Sequence, residues 1–335
     1  MMLKNLDIPF EKWRAILNES PHSTPFQTPE FFMLIDGTPG VVAHAFAVES
    51  GGHLSALAVI VEFSEKGLTG FFSRRGIIFG GPIVLSGKTD ALDSLLGVIS
   101  VELSSHTIYL ETRNYSDYGL FRDTFVRHGW NYVPYLDIRI ETGDRNSMSS
   151  AISSSRRRQI RKAAANGAEI REAGSIHEVE AFYAILQNHY RRKVRKPLMP
   201  WEFFGEAFNR RFGKFLLVFY RGIVIGGIYC PLLERRSIFE FYVCGLDHDY
   251  RDQYPSVMAT WAAMDYAATN GILFFDLMGA GVSGKDYGVR EFKARFGGHQ
   301  EEFGRFLKIN RRLLYQAGKT AIKLMSKLSV SENSD

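Results

Sequence analysis

The sequence is short of the residues from which disulfide frameworks and metal centres are built. Among 335 residues there are two cysteines, Cys230 and Cys244, and both lie in apolar segments that read as neighbouring strands. They are expected as small buried residues in a reducing compartment, making neither a disulfide nor a zinc site. The nine histidines are scattered without a ligand spacing such as HExxH, so no metal centre is expected. No apolar run approaches the roughly 20 residues that span a bilayer. The opening MMLKNLDIPFEKW has no long apolar core of the signal-peptide kind, and the expected location is the cytoplasm.

What is present is the composition of a soluble globular protein, 45% hydrophobic and 23% charged, long enough for two domains with a core each. The net charge of +5 is modest, but its distribution is uneven. Five basic residues fall in RRRQIRK (156–162), five in RRKVRK (191–196), and seven, with no acidic residue, between Arg305 and Lys327. Three local basic surfaces suit an anionic partner: substrate phosphates, an RNA or a membrane face. Solvated helix faces are the plainer alternative for each.

Along the chain, an amphipathic helix (Phe10 to Leu17) precedes the strands VVAHAFAV and HLSALAVIVEF, joined by the hairpin ESGG. RRGIIFGGPIVL continues the meander, with its ladder broken at Gly80-Gly81-Pro82. A helix (Thr89 to Ser104), the strand TIYLET, a helix (Tyr118 to His128) and a closing strand NYVPYLDIRIE follow. GDRNSMSSAISSS reads as an interdomain linker. The pattern then repeats: a basic helix stopped by Gly167, the strand AEIREA, two helices (Ile176 to Tyr190, Trp201 to Phe212), three strands, and a long helix (Tyr254 to Thr269). A strand at Ile272 to Leu277, a last strand at Gln300 to Ile309 and a terminal helix at Arg311 to Leu328 complete it. The expected fold class is α+β, two tandem domains with a cleft between them. The first covers 1–145, completed by the helix at 310–335, and the second covers 146–309.

The stretch from Gly271 to Gly298, GILFFDLMGAGVSGKDYGVREFKARFGG, has the layout of a site: a buried strand, a glycine loop, then a segment dense in Arg, Lys and Phe. Gly279, Gly281 and Gly284 spell GxGxxG. A dinucleotide domain is excluded, because only about fifty residues follow and Lys285 to Gly288 interrupts the helix that should begin at once. Asp276, ending the strand, is either a proton acceptor or a cap for the loop. Glu240 and Tyr242 alternate with Phe241 on a core strand, so both are candidates to face the cleft. Arg74, Arg75, Arg157 and Arg161 are candidates for holding phosphates, the last two sharing a helix face. Arg290 and Arg295 extend that set of substrate-binding candidates. The double glycine Gly297-Gly298 is expected to make a turn.

The residues from Ser154 to Gly298 resemble the FemAB/FemX-type peptidoglycan bridge aminoacyltransferases, which carry two tandem domains of the GNAT acyltransferase fold. The resemblance is carried by RRRQIRKAAANGAEI, by MATWAAMDYAATNGILFFDLMG and above all by REFKARFGG; the earlier half matches in layout and in RRGIIFGGP. It implies an N-acyltransferase acting on an amine of a cell-envelope acceptor, with aminoacyl-tRNA or acyl-CoA as co-substrate and no tightly bound cofactor. An anionic envelope precursor and contact with the inner membrane face are the implied partners. Lys293, matching the family lysine, is implied to stabilise the oxyanion of acyl transfer, partly dehydrated beside Phe292. The plainer alternative is that Lys293 and Arg295 decorate an exposed helix. One departure bears on the donor. Where a CoA-binding GNAT enzyme has the pattern Arg/Gln-x-x-Gly-x-Gly/Ala, this chain has Arg251-Asp252-Gln253-Tyr254-Pro255-Ser256, and Pro255 removes a donor N–H.

Overall fold

The computed structural model describes residues 1–64, 74–194, 197–284 and 287–320. The chain divides into two compact units, one formed by Met1–Val133 with the chain from Gly304 onward, the other by Pro134–Phe303.

The first unit is built on a sheet with strand order β1-β2-β3-β4-β6-β17-β7, with β5 paired to β3. Its strands are β1 (Met2–Lys4), β2 (Val41–Ser50), β3 (His53–Phe63), β4 (Arg75–Gly80), β5 (Ile83–Val84), β6 (Tyr109–Asn114) and β7 (Asn131–Val133), and its helices are α1 (Phe10–Glu19), α2 (Pro29–Asp36), α3 (Thr89–Leu103) and α4 (Arg122–Arg127). The hairpin β2–β3 turns at Gly51 and Gly52, whose φ values of 60° and 82° only glycine adopts without cost. Helix α3 buries Leu92, Leu95, Leu96 and Ile99 in a core shared with Ile60, Phe125 and Trp130.

In the second unit the chain runs β8 (Asp137–Glu141), α5 (Arg145–Ala151), α6 (Ser154–Ala165), β9 (Ala168–Glu172), α7 (Ile176–His189), α8 (Trp201–Asn209), β10 (Lys214–Tyr220), β11 (Ile223–Cys230), β12 (Leu232–Leu233), β13 (Ser237–Phe239), β14 (Tyr242–Gly245), α9 (Pro255–Thr269), β15 (Phe274–Asp276), α10 (Gly288–Ala294) and β16 (His299–Glu301). The strand β17 (Arg305–Ile309) then returns to the first unit. Two sheets result, β14-β11-β10-β9 and β12-β13-β15-β8-β16. Helix α9 buries Ala259, Ala262, Ala263 and Ala267, and these small side chains let it lie close against the strands of both sheets.

Three expectations are corrected. NYVPYLDIRIE is two strands, because Pro134 cannot donate to a ladder: β7 pairs with β17 in the first unit, and β8 pairs with β15 and β16 in the second. The supposed linker is helix α5, started by the Asp144 carboxylate, which accepts from Asn146 N at 3.0 Å and Ser147 N at 3.4 Å. The last strand also splits, at Gly304 (φ 66°), so that β17 pairs with β6 and β7. The boundaries at 145/146 and 309/310 therefore move to 133/134 and 303/304. The turn at Gly297-Gly298 is as expected; a Cβ on Gly298 would stand 2.6 Å from Arg139 O. Of the terminal helix, residues 312–320 are helical, and Tyr315 packs edge-on to Tyr109 at 5.5 Å. The rest of that helix, residues 321–328, lies outside the described residues. No helix among the described residues is long and apolar enough to cross a membrane.

Candidate active site

The site forms where two strands part. Through Phe239 the chain pairs in parallel with β15, and Glu240 N donates to Asp276 O at 2.9 Å in the last rung they share. From Tyr242 onward it pairs with β11 instead, leaving β14 at the edge of its own sheet. Leu246 N donates to Ile225 O, and in the register that pairs Tyr242 with Tyr229 the alternation of an antiparallel ladder turns the Val243 N–H toward the open edge.

Beneath the point of parting lies a buried charged cluster: Asp137, Glu240, Asp276 and Lys293 are each less than a tenth exposed. The Lys293 ammonium meets Glu240 Oε1 at 3.0 Å, donates to Gly279 O at 3.0 Å and also donates to Leu277 O. Its three N–H groups are thereby used. Burial works against its charge, but attraction from Glu240, with Asp137 and Tyr287 adding to it, holds its pKa above the ordinary lysine value. Burial pushes the Glu240 carboxyl up in spite of Lys293.

Asp137 Oδ1 accepts from Gly279 N at 2.7 Å and from Ile138 N at 2.7 Å. Asp276 Oδ1 accepts from Met278 N at 2.8 Å, and Arg139 stands 3.6 Å from Asp276 Oδ2. Burial first, and then the neighbouring Asp137 charge, holds the Asp276 carboxyl well above the carboxylate range. Asp137 is also raised by burial, although N–H groups and Lys293 oppose this. Two carboxyls in one dry pocket disfavour a second negative charge, and the upward shift is the stronger at Asp276. Met278 has φ 52°, a conformation uncommon outside glycine, and its N–H is fixed by Asp276.

Of the residues expected from sequence, the structure brings Lys293, Glu240 and Asp276 together. Lys293 does not stand free for an oxyanion, since its donors are taken. Asp276 is the loop cap, the second of the two roles open to it. The Phe292 ring lies 4.2 Å under the Arg156 guanidinium, with Phe296 at 4.9 Å. Arg290 braces the glycine loop, donating from Nε to Ala280 O at 2.7 Å and also to Val282 O. Tyr242 joins an aromatic group with Phe204 at 5.1 Å and Tyr190 at 5.9 Å. Arg157 donates to Ser150 O at 2.8 Å, tying α6 to the end of α5. Arg161 and Arg295 are exposed, and Arg74 and Arg75 lie in the first unit at the start of β4.

Sequence reasoning missed Asp137, Arg139 and Arg156. Asp137 and Arg139 sit in β8, which the sequence reading took as the closing strand of the first domain and which belongs to the second unit. Arg156 was counted in a basic run, yet it is 5% exposed, and burial together with Arg295 lowers its pKa to about 10.

Residues 153–294 match the family model of the acetyltransferase (GNAT) domain. No curated protein sequence gives a significant match. The fold is shared with FemX, at TM-score 0.72 and 14% identity over 94% of this chain and 99% of that one. It is also shared with the C-terminal domain of a putative lysylphosphatidylglycerol synthetase from Agrobacterium fabrum, at TM-score 0.60 and 11% identity over 93% and 96%. A tandem GNAT protein from the clavulanic acid biosynthesis pathway gives TM-score 0.54 and 8% identity over 92% and 99%. The class is therefore an acyltransferase with a GNAT domain. More particularly, the chain has the two-domain GNAT fold of the FemX type.

A GNAT domain implies an acyl carrier as co-substrate, acyl-CoA among them. The start of α9 does not fit a pyrophosphate. Pro255 has no N–H, Tyr254 is left-handed at φ 44°, and the Asp247 carboxylate already accepts from Ser256 N at 3.1 Å and from the Ser256 hydroxyl.

Proposed function

We propose that the protein transfers an aminoacyl or acyl group from its carrier to an amine of a cell-envelope acceptor resembling a peptidoglycan precursor. The observation that carries this is the open edge of β14 in the GNAT domain, where the Val243 N–H faces the gap left by β15. The acceptor amine attacks the donor carbonyl carbon, and the oxyanion formed accepts a hydrogen bond from Val243 N–H. The bond to the carrier oxygen or sulfur then breaks, and the leaving group takes the proton given up by nitrogen. Lys293, Asp276 and Asp137 act through the loop as positioning residues, holding Leu277, Met278 and Gly279 in place beside that edge. The carboxylate capping α9 favours a donor other than acyl-CoA, for which aminoacyl-tRNA is the candidate. The basic run at 156–162 and the fold shared with FemX support an anionic carrier or acceptor of this kind.

Purified protein is offered charged tRNA or acyl-CoA with amine acceptors extracted from envelope material, and products are read by mass spectrometry. Val243→Pro removes the open N–H without breaking a rung to β11. It should cost roughly a hundredfold or more in kcat with the circular dichroism spectrum unchanged. Equal turnover by this variant, with the fold intact, would remove Val243 from the mechanism. Transfer from acyl-CoA but from no charged tRNA would overturn the donor assignment.

A further inference from the structure

The nine histidines carry no ligand spacing along the chain, but the fold of the first unit gathers two of them onto one carboxylate. His44 on β2 places Nε2 2.9 Å from Glu62 Oε2 on β3. His106, in the connection from α3 to β6, places its Nε2 3.2 Å from the same oxygen. All three ligand atoms lie within 4.8 Å of one another. The Glu62 side chain is 7% exposed, those of His44 and His106 19% and 33%. Although burial opposes it, hydrogen bonds and charge from the two imidazoles keep the Glu62 carboxyl below its ordinary value.

We propose that His44, Glu62 and His106 form a binding site for a divalent transition-metal cation of the zinc type. Two imidazole nitrogens and one carboxylate oxygen are the donor set that such a cation prefers, and the partly exposed side of His106 leaves a fourth position for water. The spacing is close to what is needed. Metal–ligand bonds of about 2.0–2.1 Å in a tetrahedron set ligand atoms roughly 3.3 Å apart, near the 2.9 and 3.2 Å that already separate each imidazole from the carboxylate oxygen. Where an imidazole donates from Nε2 to Glu62, binding of the ion would move that proton to Nδ1, so it need not leave the site. On His106 the Ser105 hydroxyl, 3.2 Å from Nδ1, is placed to accept it. The ligands are 18 and 44 residues apart in sequence, so the ion would clip the β2–β3 hairpin to the far end of α3. This site lies outside residues 153–294 and is independent of the acyltransferase chemistry.

The test uses the full chain, free of any histidine tag and stripped with a chelator. Co2+ is titrated while visible d–d absorption is followed, and Zn2+ is then added in competition. The expected result is one equivalent of Co2+ with the intense bands of low coordination number, displaced by Zn2+. Glu62→Gln and His106→Gln, each checked by circular dichroism, should weaken binding at least tenfold. His128→Gln, which removes a histidine paired with Asp93 instead, should leave it unchanged. Absence of saturable absorption in the wild type would overturn the proposal, as would a spectrum and affinity that survive both ligand substitutions.

Discussion

Replacing Lys293 with methionine isolates the ion pair under the parted strands. Its side chain is 10% exposed and that of Glu240 4%, so water does not screen the pair. Lys293→Met keeps much of the volume but strands Glu240 as an uncompensated carboxylate, and it leaves the carbonyls of Leu277 and Gly279 without their donor. Breaking a buried pair from one side costs about 3–5 kcal/mol, which is roughly a hundredfold to several thousandfold in the folding equilibrium at about 1.4 kcal/mol per factor of ten. The paired variant Lys293→Met with Glu240→Leu removes both charges and should recover at least half of the loss, because two matched apolar groups have no desolvation penalty to meet. Urea unfolding of the full chain gives the magnitudes, and hydrogen exchange over the peptides covering 240–245 and 277–281 assigns the effect to the second unit. A single-variant cost below about 1 kcal/mol, the range of a solvent-screened pair, would refute the reasoning. So would a double variant less stable than Lys293→Met alone.

Asp276→Asn mimics the protonated carboxyl and should change stability at pH 5 by less than about 1 kcal/mol. The folded-state pKa of Asp276 is raised, so its contribution is present in full below the unfolded value of about 4 and declines as pH rises toward the folded value. The variant lacks that decline. It should therefore gain on the wild type in urea midpoint as pH rises above about 4, and a difference that does not change with pH would refute the raised Asp276 pKa. Asp247→Ala should cost the cap of α9, about 1 kcal/mol, and tighter CoA binding by calorimetry in this variant would show that the carboxylate had been excluding phosphate. Arg156→Lys gives up the planar stack on Phe292 and Phe296 and should destabilise by about 1–2 kcal/mol; an unshifted melting midpoint would count against that packing.

Much of the fold was legible because it rests on local signals. The hairpin at Gly51-Gly52, the stop at Gly167 and the small-residue helix from Pro255 each declare themselves within a few residues. Errors arose where long-range pairing overrode local pattern. The segment 144–151 holds three serines and an asparagine, which reads as linker, yet such residues also start helices when an Asp side chain accepts the first N–H groups. The strand at 137–141 has the same alternation whichever sheet receives it. Its membership was decided by β15 and β16, which lie more than a hundred residues further along.

The site divides in the same way. Sequence by itself pointed to the stretch from Gly271 to Gly298 as the candidate site, because a glycine loop after a buried strand followed by REFKARFGG is a local pattern with a local cause. Tertiary structure decided what the residues do. Lys293 was legible as a charge, but whether an ammonium faces substrate or a buried carboxylate depends on what else the fold places within 3 Å of it. Here that is Glu240, from the break between β13 and β14 more than fifty residues earlier. Asp137 and the His44–Glu62–His106 cluster were invisible for one reason: their partners are neighbours only in space, and a one-dimensional spacing carries no trace of them.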